Sequence, residues 1–232
     1  MLPEGTLIPL ATLGAVLGLD VVSFPQAMLS RPIVAATLAG AVLGNPLGGL
    51  TAGATLELFA LETLPVGASR YPEWGSAAVV GGALFAREPD LRAGALLFAV
   101  LAAIVTAWVG GQSMVLLRRL NAQLARAQRD RIAAGSARHV VGLQLAGLGF
   151  DLLRGFLMAV VALGVWSPVM GWLLPEVGAS PAGARAVTVG LSAMVAGGAV
   201  WKLVHAVPRA RGLFLGGLGV GLVLMVMLEA GR

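Results

Sequence analysis

The chain has 232 residues, 58% of them hydrophobic and 12% charged, with a mean hydropathy of +0.89; soluble domains carry about 25% charged residues, so an ordinary water-soluble fold is excluded. It holds no cysteine, which excludes disulfides, thiolate metal sites and cysteine nucleophiles. The net charge of +5 does not argue for nucleic acid, because six of the sixteen basic residues lie between Arg118 and Arg138, where a local excess reads as membrane topology.

In chain order, residues 5–19 are apolar but short of the roughly 20 that cross a bilayer. No basic residue precedes them and no cleavage site follows, so this segment is expected to stay in the mature protein. From Asp20 to Pro32 the hydrophobic background is broken by Asp, Ser, Pro, Gln and Arg, the pattern of an interrupted helix. Residues 33–56 carry no charge, yet Gly44-Asn45-Pro46 divides them into pieces of about a dozen, which predicts two half-helices in a hairpin. A further break is expected from Pro65 to Trp74, ahead of a short Gly/Ala-rich segment at 75–86.

The remainder reads differently. Residues 93–117 form an uninterrupted apolar run, and 140–166, 186–204 and 212–228 give further membrane-length segments. Between the first two, Arg118, Arg119, Arg126, Arg129 and Arg131 mark a polar helical arm, expected on the cytoplasmic side. That orientation puts a Trp166–Arg185 connection outside, Lys202, His205, Arg209 and Arg211 inside, and the C-terminus outside. The 33 glycines are scattered through apolar runs and read as packing surfaces between helices. Gly-Ala-Val-Leu-Gly occurs at 14–18 and 40–44, a match too generic to define a repeat. The fold class expected is all-α: a polytopic integral membrane protein with interrupted helices and re-entrant hairpins over residues 1–92. A transmembrane helix scaffold follows over 93–232, with the basic arm at 118–138.

Half-length helices leave backbone groups unpaired at mid-membrane depth, where a polar ligand or a water-filled cavity satisfies them. Asp20, Arg31, Glu57 and Glu62 all lie in or beside the interrupted segments, and a charge inside a membrane is costly unless paired or solvated. Glu57 could accept two hydroxyl hydrogen bonds from a sugar, pair internally with Arg31, or do both. Gln26, beside Pro25, could bond a polyol or satisfy freed backbone groups, and Arg31-Pro32 could cap the next helix. Glu73 sits between Pro72 and Trp74, an aromatic able to stack on a sugar face or to lie at the membrane interface. Asp151 and Arg154 are one helical turn apart and read as a local pair. His139 and His205 have no acidic neighbour at ligand spacing and read as helix ends, so no metal site is expected. No phosphate loop, nucleophile elbow or His-Glu-x-x-His motif is present.

Residues 31–68 are more specific. They contain Arg31-Pro32 running to Gly40, the Gly44-Asn45 turn, Gly48-Gly49-Leu50, Gly53-Ala54-Thr55-Leu56-Glu57 and Val66-Gly67-Ala68. This text resembles the enzyme IIC subunit of the mannose-fructose-sorbose family of the phosphoenolpyruvate-dependent sugar phosphotransferase system, and more weakly the resemblance runs on through the later segments. It implies a multi-pass, sugar-translocating subunit in the bacterial inner membrane that moves a hexose or amino sugar inward. Phosphorylation would fall to the cytoplasmic IIA and IIB components. The implied assembly is a homotrimer of pairs with the enzyme IID membrane subunit, in membrane lipid and without nucleic acid. No cofactor and no phosphoryl-transfer residue of its own is implied. The resemblance puts Glu57 at the sugar as the Thr-Leu-Glu carboxylate, with Gln26, Asp20, Glu73 and Arg31 as the other candidate binding residues. The competing expectation is an ion-coupled secondary transporter with Asp20 and Glu57 as protonation sites.

Overall fold

The structure is a computed structural model that describes residues 5–61, 70–88, 93–177, 181–204 and 207–230. Glu62, Pro65, the Val66-Gly67-Ala68 segment and His205 lie outside the described residues. Among the described residues there are nine α-helices and no strand. In chain order they are α1 (Leu7–Asp20), α2 (Pro32–Val42), α3 (Pro46–Ala60), α4 (Trp74–Ala86), α5 (Ala93–Ala127), α6 (Arg129–Ala133), α7 (Ala137–Val177), α8 (Pro181–Val204) and α9 (Ala210–Ala230).

The expected hairpin is α2–α3, and its turn is encoded locally. Gly44 supplies the left-handed residue (φ 76°), and the Asn45 side-chain oxygen accepts from the Gly48 N–H at 3.0 Å. Pro46 then opens α3 at a position that needs no donor. The two arms meet backbone to backbone: a Cβ on Gly49 would lie 2.2 Å from the Ala36 carbonyl oxygen, so only glycine fits. The Asn45 amide also donates to the Ala86 carbonyl at 2.8 Å, tying the hairpin tip to the last turn of α4, where carbonyls lack helical partners.

α4 is the centre of the molecule. All its residues are buried, and α1, the α2–α3 hairpin, α5 and α7 surround it. Its Val79, Val80, Leu84 and Phe85 join Leu10, Leu56, Val100 and Leu163 in the core. α8 packs outside α3 and α5, and α9 leans on α8 through an edge-to-face contact of Trp201 and Phe214 with centroids 5.4 Å apart. Two described helices, α5 from Gly94 to Ala127 and α7 from Ala137 to Pro175, are long and apolar enough to cross a membrane.

Two expectations are corrected. The basic arm is not a separate element at its start: α5 runs unbroken through Arg118 to Ala127, because arginine, leucine, glutamine and alanine are good helix formers, and only hydropathy changes there. The Trp166–Arg185 connection is also mostly helix, since α7 continues through Pro168 and Pro175 to Val177. Arg87 at the end of α4 donates to the Ser167 hydroxyl and, at 3.0 Å, to the Ser167 carbonyl, fixing α7 where its proline interrupts the ladder.

Side-chain neighbours set the directions. Gly110 lies against Glu73 and Gly81 against Ala103, so α5 is antiparallel to α4. Ser113 meets Arg154 and Thr106 meets Trp166, so α7 is antiparallel to α5. The end of α1, the start of α4 and the turns of α5 and α7 near residues 113 and 151 therefore share one level, at the end of the molecule where the basic arm emerges.

Candidate functional site

At that level the loop from Val21 to Arg31 leaves α1, and Asp20 shapes it. The carboxylate is buried and accepts from the backbone N–H groups of Ala27 at 2.7 Å and Ser30 at 2.8 Å. Two non-glycine residues of this loop, Gln26 (φ 58°) and Met28 (φ 61°), sit in the left-handed region, a conformation that costs roughly 1 kcal/mol or more each and persists where surrounding bonds impose it. Asp20 supplies two of those bonds. The Gln26 amide donates to the Val22 carbonyl at 2.6 Å, so this side chain satisfies loop backbone.

The loop, α3 and the start of α4 enclose a cavity of about 260 Å³ lined by Asp20, Gln26, Ser30, Arg31, Tyr71 and Trp74 among others. Arg31 N-caps α2, with Pro32 next as the sequence suggests, and its guanidinium pairs with Glu57 of α3, with Nε at 2.6 Å from Oε1. The other carboxylate oxygen, Oε2, accepts from the Ile33 N–H at 3.1 Å, near the α2 N-terminus, where helix dipole and free donors favour an anion. Glu57 thus reaches the cavity through Arg31, which lines it; Glu57 is not itself a lining residue.

Glu73 goes elsewhere. It is fully buried, caps α4 by accepting from the Ser76 N–H at 3.1 Å, and also accepts from the Ser76 hydroxyl. One oxygen lies 3.8 Å from an Arg154 nitrogen, and Arg154 in turn donates to Asp151 at 2.9 Å and to Ser113 at 3.2 Å. Asp151 accepts from the Ser23 hydroxyl at 2.5 Å, which reaches from the loop across to α7. Buried charges at this depth are tolerable only because they are paired in this way. On the Ser23 side of the loop a second hollow of about 430 Å³ is lined by Ser23, Arg118, Asn121, Gln144 and Asp151.

Of the five candidate residues, Asp20, Gln26 and Arg31 come together on one cavity, Glu57 stands one contact away, and Glu73 joins a buried ionic network whose neighbours Pro72 and Trp74 line the cavity. The sequence reading missed Ser23 and Tyr71, and took Asp151 and Arg154 for a purely local pair. Tyr71 carried one usable signal, being the only tyrosine in the chain and adjacent to Pro72-Glu73. His139 lies in the first turn of α7, with its ring 2.7 Å from the Ser136 hydroxyl. Among the described residues no group of three His, Asp or Glu is placed to hold a metal ion.

Known proteins resemble this chain both in sequence and in fold. It is 30% identical over 173 residues to the PTS system mannose-specific EIIC component of Escherichia coli K12, covering 71% of this chain and 63% of that protein. It is 29% identical over 176 residues to the fructose permease IIC component of Bacillus subtilis 168, covering 74% and 63%. The sorbose-specific EIIC component of Lacticaseibacillus casei is 27% identical over 168 residues, covering 69% and 59%. The matched region thus spans about 63% of the length of the first of these curated relatives. Two solved structures share the fold: one described as the structure of a membrane protein (TM-score 0.70, 19% identity) and the mannose transporter ManYZ in complex with microcin E492 (TM-score 0.62, 22% identity). Each covers 100% of this chain and 97% of the other. The family model for the PTS system sorbose-specific IIC component matches residues 6–200, and this all-α membrane protein belongs to that family.

Proposed function

We propose that the chain is the sugar-translocating subunit of a mannose-type phosphotransferase system, with its binding site at the cavity beside Asp20, Gln26, Arg31, Tyr71 and Trp74. The solute is a hexose or amino sugar, moved inward for phosphorylation by cytoplasmic IIA and IIB components. Residues 1–92 shape the site and 93–232 the scaffold, in a multi-pass subunit of the bacterial inner membrane assembled with enzyme IID as a homotrimer of pairs.

The observation that carries this reading is the convergence, on one small cavity between broken helices, of an arginine, an amide, a carboxylate and two aromatic rings. Such a set offers hydroxyl donors and acceptors along with a stacking face, which is what a polyol ring requires. The ion-coupled alternative fares worse on geometry. Asp20 already accepts two backbone N–H groups, and Glu57 a guanidinium and the Ile33 N–H, so both carboxylates are held as acceptors.

The test is a binding screen of hexoses and N-acetylhexosamines on the detergent-purified chain coexpressed with its membrane partner, run in parallel on Glu57→Gln. Loss of the charge releases Arg31, and sugar affinity is expected to fall on the order of tenfold or more while the protein still assembles. An affinity unchanged in the variant removes Glu57 and Arg31 from the site. If no sugar binds and uptake in vesicles follows a proton or sodium gradient, the translocating-subunit reading fails in favour of the ion-coupled one.

A further inference from the structure

The cavity at Asp20 has a neighbour. Val21 lines the cavity, while Val22 and Ser23, the next two residues of the same loop, line the hollow of about 430 Å³ between α5 and α7. A second wall is shared in the same way: Tyr71 lines the cavity, and its hydroxyl accepts from Arg118, which lines the hollow. The two spaces are therefore divided by a single thickness of loop chain and one side-chain contact. The Ser23 hydroxyl, donating to Asp151 at 2.5 Å, holds the loop in that dividing position.

The lining of the hollow states what it would take. Asn121 and Gln144 each bring a carboxamide, able to donate to and accept from a hydroxyl, and Ser23 brings a hydroxyl of its own. Its described lining residues include one guanidinium, Arg118, and one carboxylate, Asp151, a balance that suits an uncharged polar solute better than an anion or a cation. The apolar remainder, Leu117 and Leu148 among it, offers contact to C–H groups, and the volume falls in the range of about 300–1,000 Å³ usual for small-molecule sites. Counted at about 1.5 Å per residue from Gly94, Asn121 stands roughly 40 Å along α5, past a hydrocarbon core of about 30 Å and at the root of the basic arm. We infer that the hollow is a second subsite for the uncharged sugar, next to the cavity on the side of the basic arm; the inference rests on the translocation reading above.

The chain has no cysteine, so Ala125→Cys, at an exposed position lining the hollow, places a single thiol there and spares every polar group. In detergent-purified protein coexpressed with its membrane partner, alkylation of that thiol by N-ethylmaleimide is timed by mass spectrometry of the chain. Mannose, glucose, fructose, N-acetylglucosamine and mannose 6-phosphate are the probes, and equilibrium binding of each is measured on the same sample. A sugar that binds is expected to slow alkylation about fivefold at saturation. The same sugar should leave Arg138→Cys, exposed and outside the hollow, unchanged. Adding Asn121→Leu/Gln144→Leu to Ala125→Cys should abolish the protection while sugar binding at the cavity, which neither residue lines, stays within about twofold. Full protection in that variant would trace the effect to loop movement and overturn the subsite. Binding without protection would overturn the subsite and leave the translocation reading standing, whereas binding of none of the four sugars would remove both. Protection by mannose 6-phosphate in place of the sugars would overturn the assignment to an uncharged solute.

Discussion

α4 and α9 are written in the same residues, glycine, alanine and aliphatic side chains, yet they occupy opposite surroundings. Every residue of α4 is buried, whereas Leu213 and Met227 of α9 are each 66% exposed. The glycines differ in the same sense. A Cβ on Gly75 would lie 2.3 Å from the Leu17 carbonyl oxygen, while Gly216, Gly217, Gly219 and Gly221 would meet nothing within 4 Å. Hydropathy cannot separate the two helices, because lipid tails are as apolar as leucine and burial in protein or in lipid leaves the same composition. What separates them is contact geometry, in which a glycine either admits a neighbouring backbone or stands open.

Substitutions can break or sharpen this contrast. The largest effect is expected from Gly49→Val, whose side chain has no room beside the Ala36 carbonyl: the hairpin should fail to close and folded, monodisperse protein should be lost in size-exclusion chromatography. A native elution profile would mean the hairpin arms are not in backbone contact. Next is Arg154→Met, which leaves Asp151 and Glu73 buried without their common cation; a loss of about 3–5 kcal/mol, or on the order of 10 °C in the melting temperature, is expected. If Arg154→Met melts with the native protein, the network contributes nothing to holding the loop and α7 together. The smallest effect is expected from Gly219→Ala in α9, where added helix propensity and open space should shift the melting temperature by only a degree or two, and upward. A marked destabilisation there would show that α9 is packed against something on that face.

The half-helices were legible because their punctuation is local: Gly44-Asn45-Pro46 carries the left-handed turn, the cap and the first helical residue in three positions. The Arg31–Glu57 pair was legible as one of two readings, since two opposite charges in broken apolar segments need a partner. The Glu73–Arg154–Asp151–Ser23 network was not, because Ser23 and Asp151 are 128 positions apart and only the i,i+3 spacing of Asp151 and Arg154 leaves a trace in the text. The lengths of α5 and α7 were misjudged for one physical reason. Hydropathy reports where lipid ends and proline where a hydrogen bond is missing, and neither reports where a helix with other partners stops.

The 13 residues of α4 make a helix about 20 Å long, some 10 Å less than the hydrocarbon layer. One end meets the Glu73–Arg154–Asp151 network and the other meets Asn45, Arg87 and Ser167. Charged and hydrogen-bonding groups therefore stand at both ends of a short insulating plug. The apolar stretch between those groups is about two-thirds as long as the hydrocarbon layer is thick.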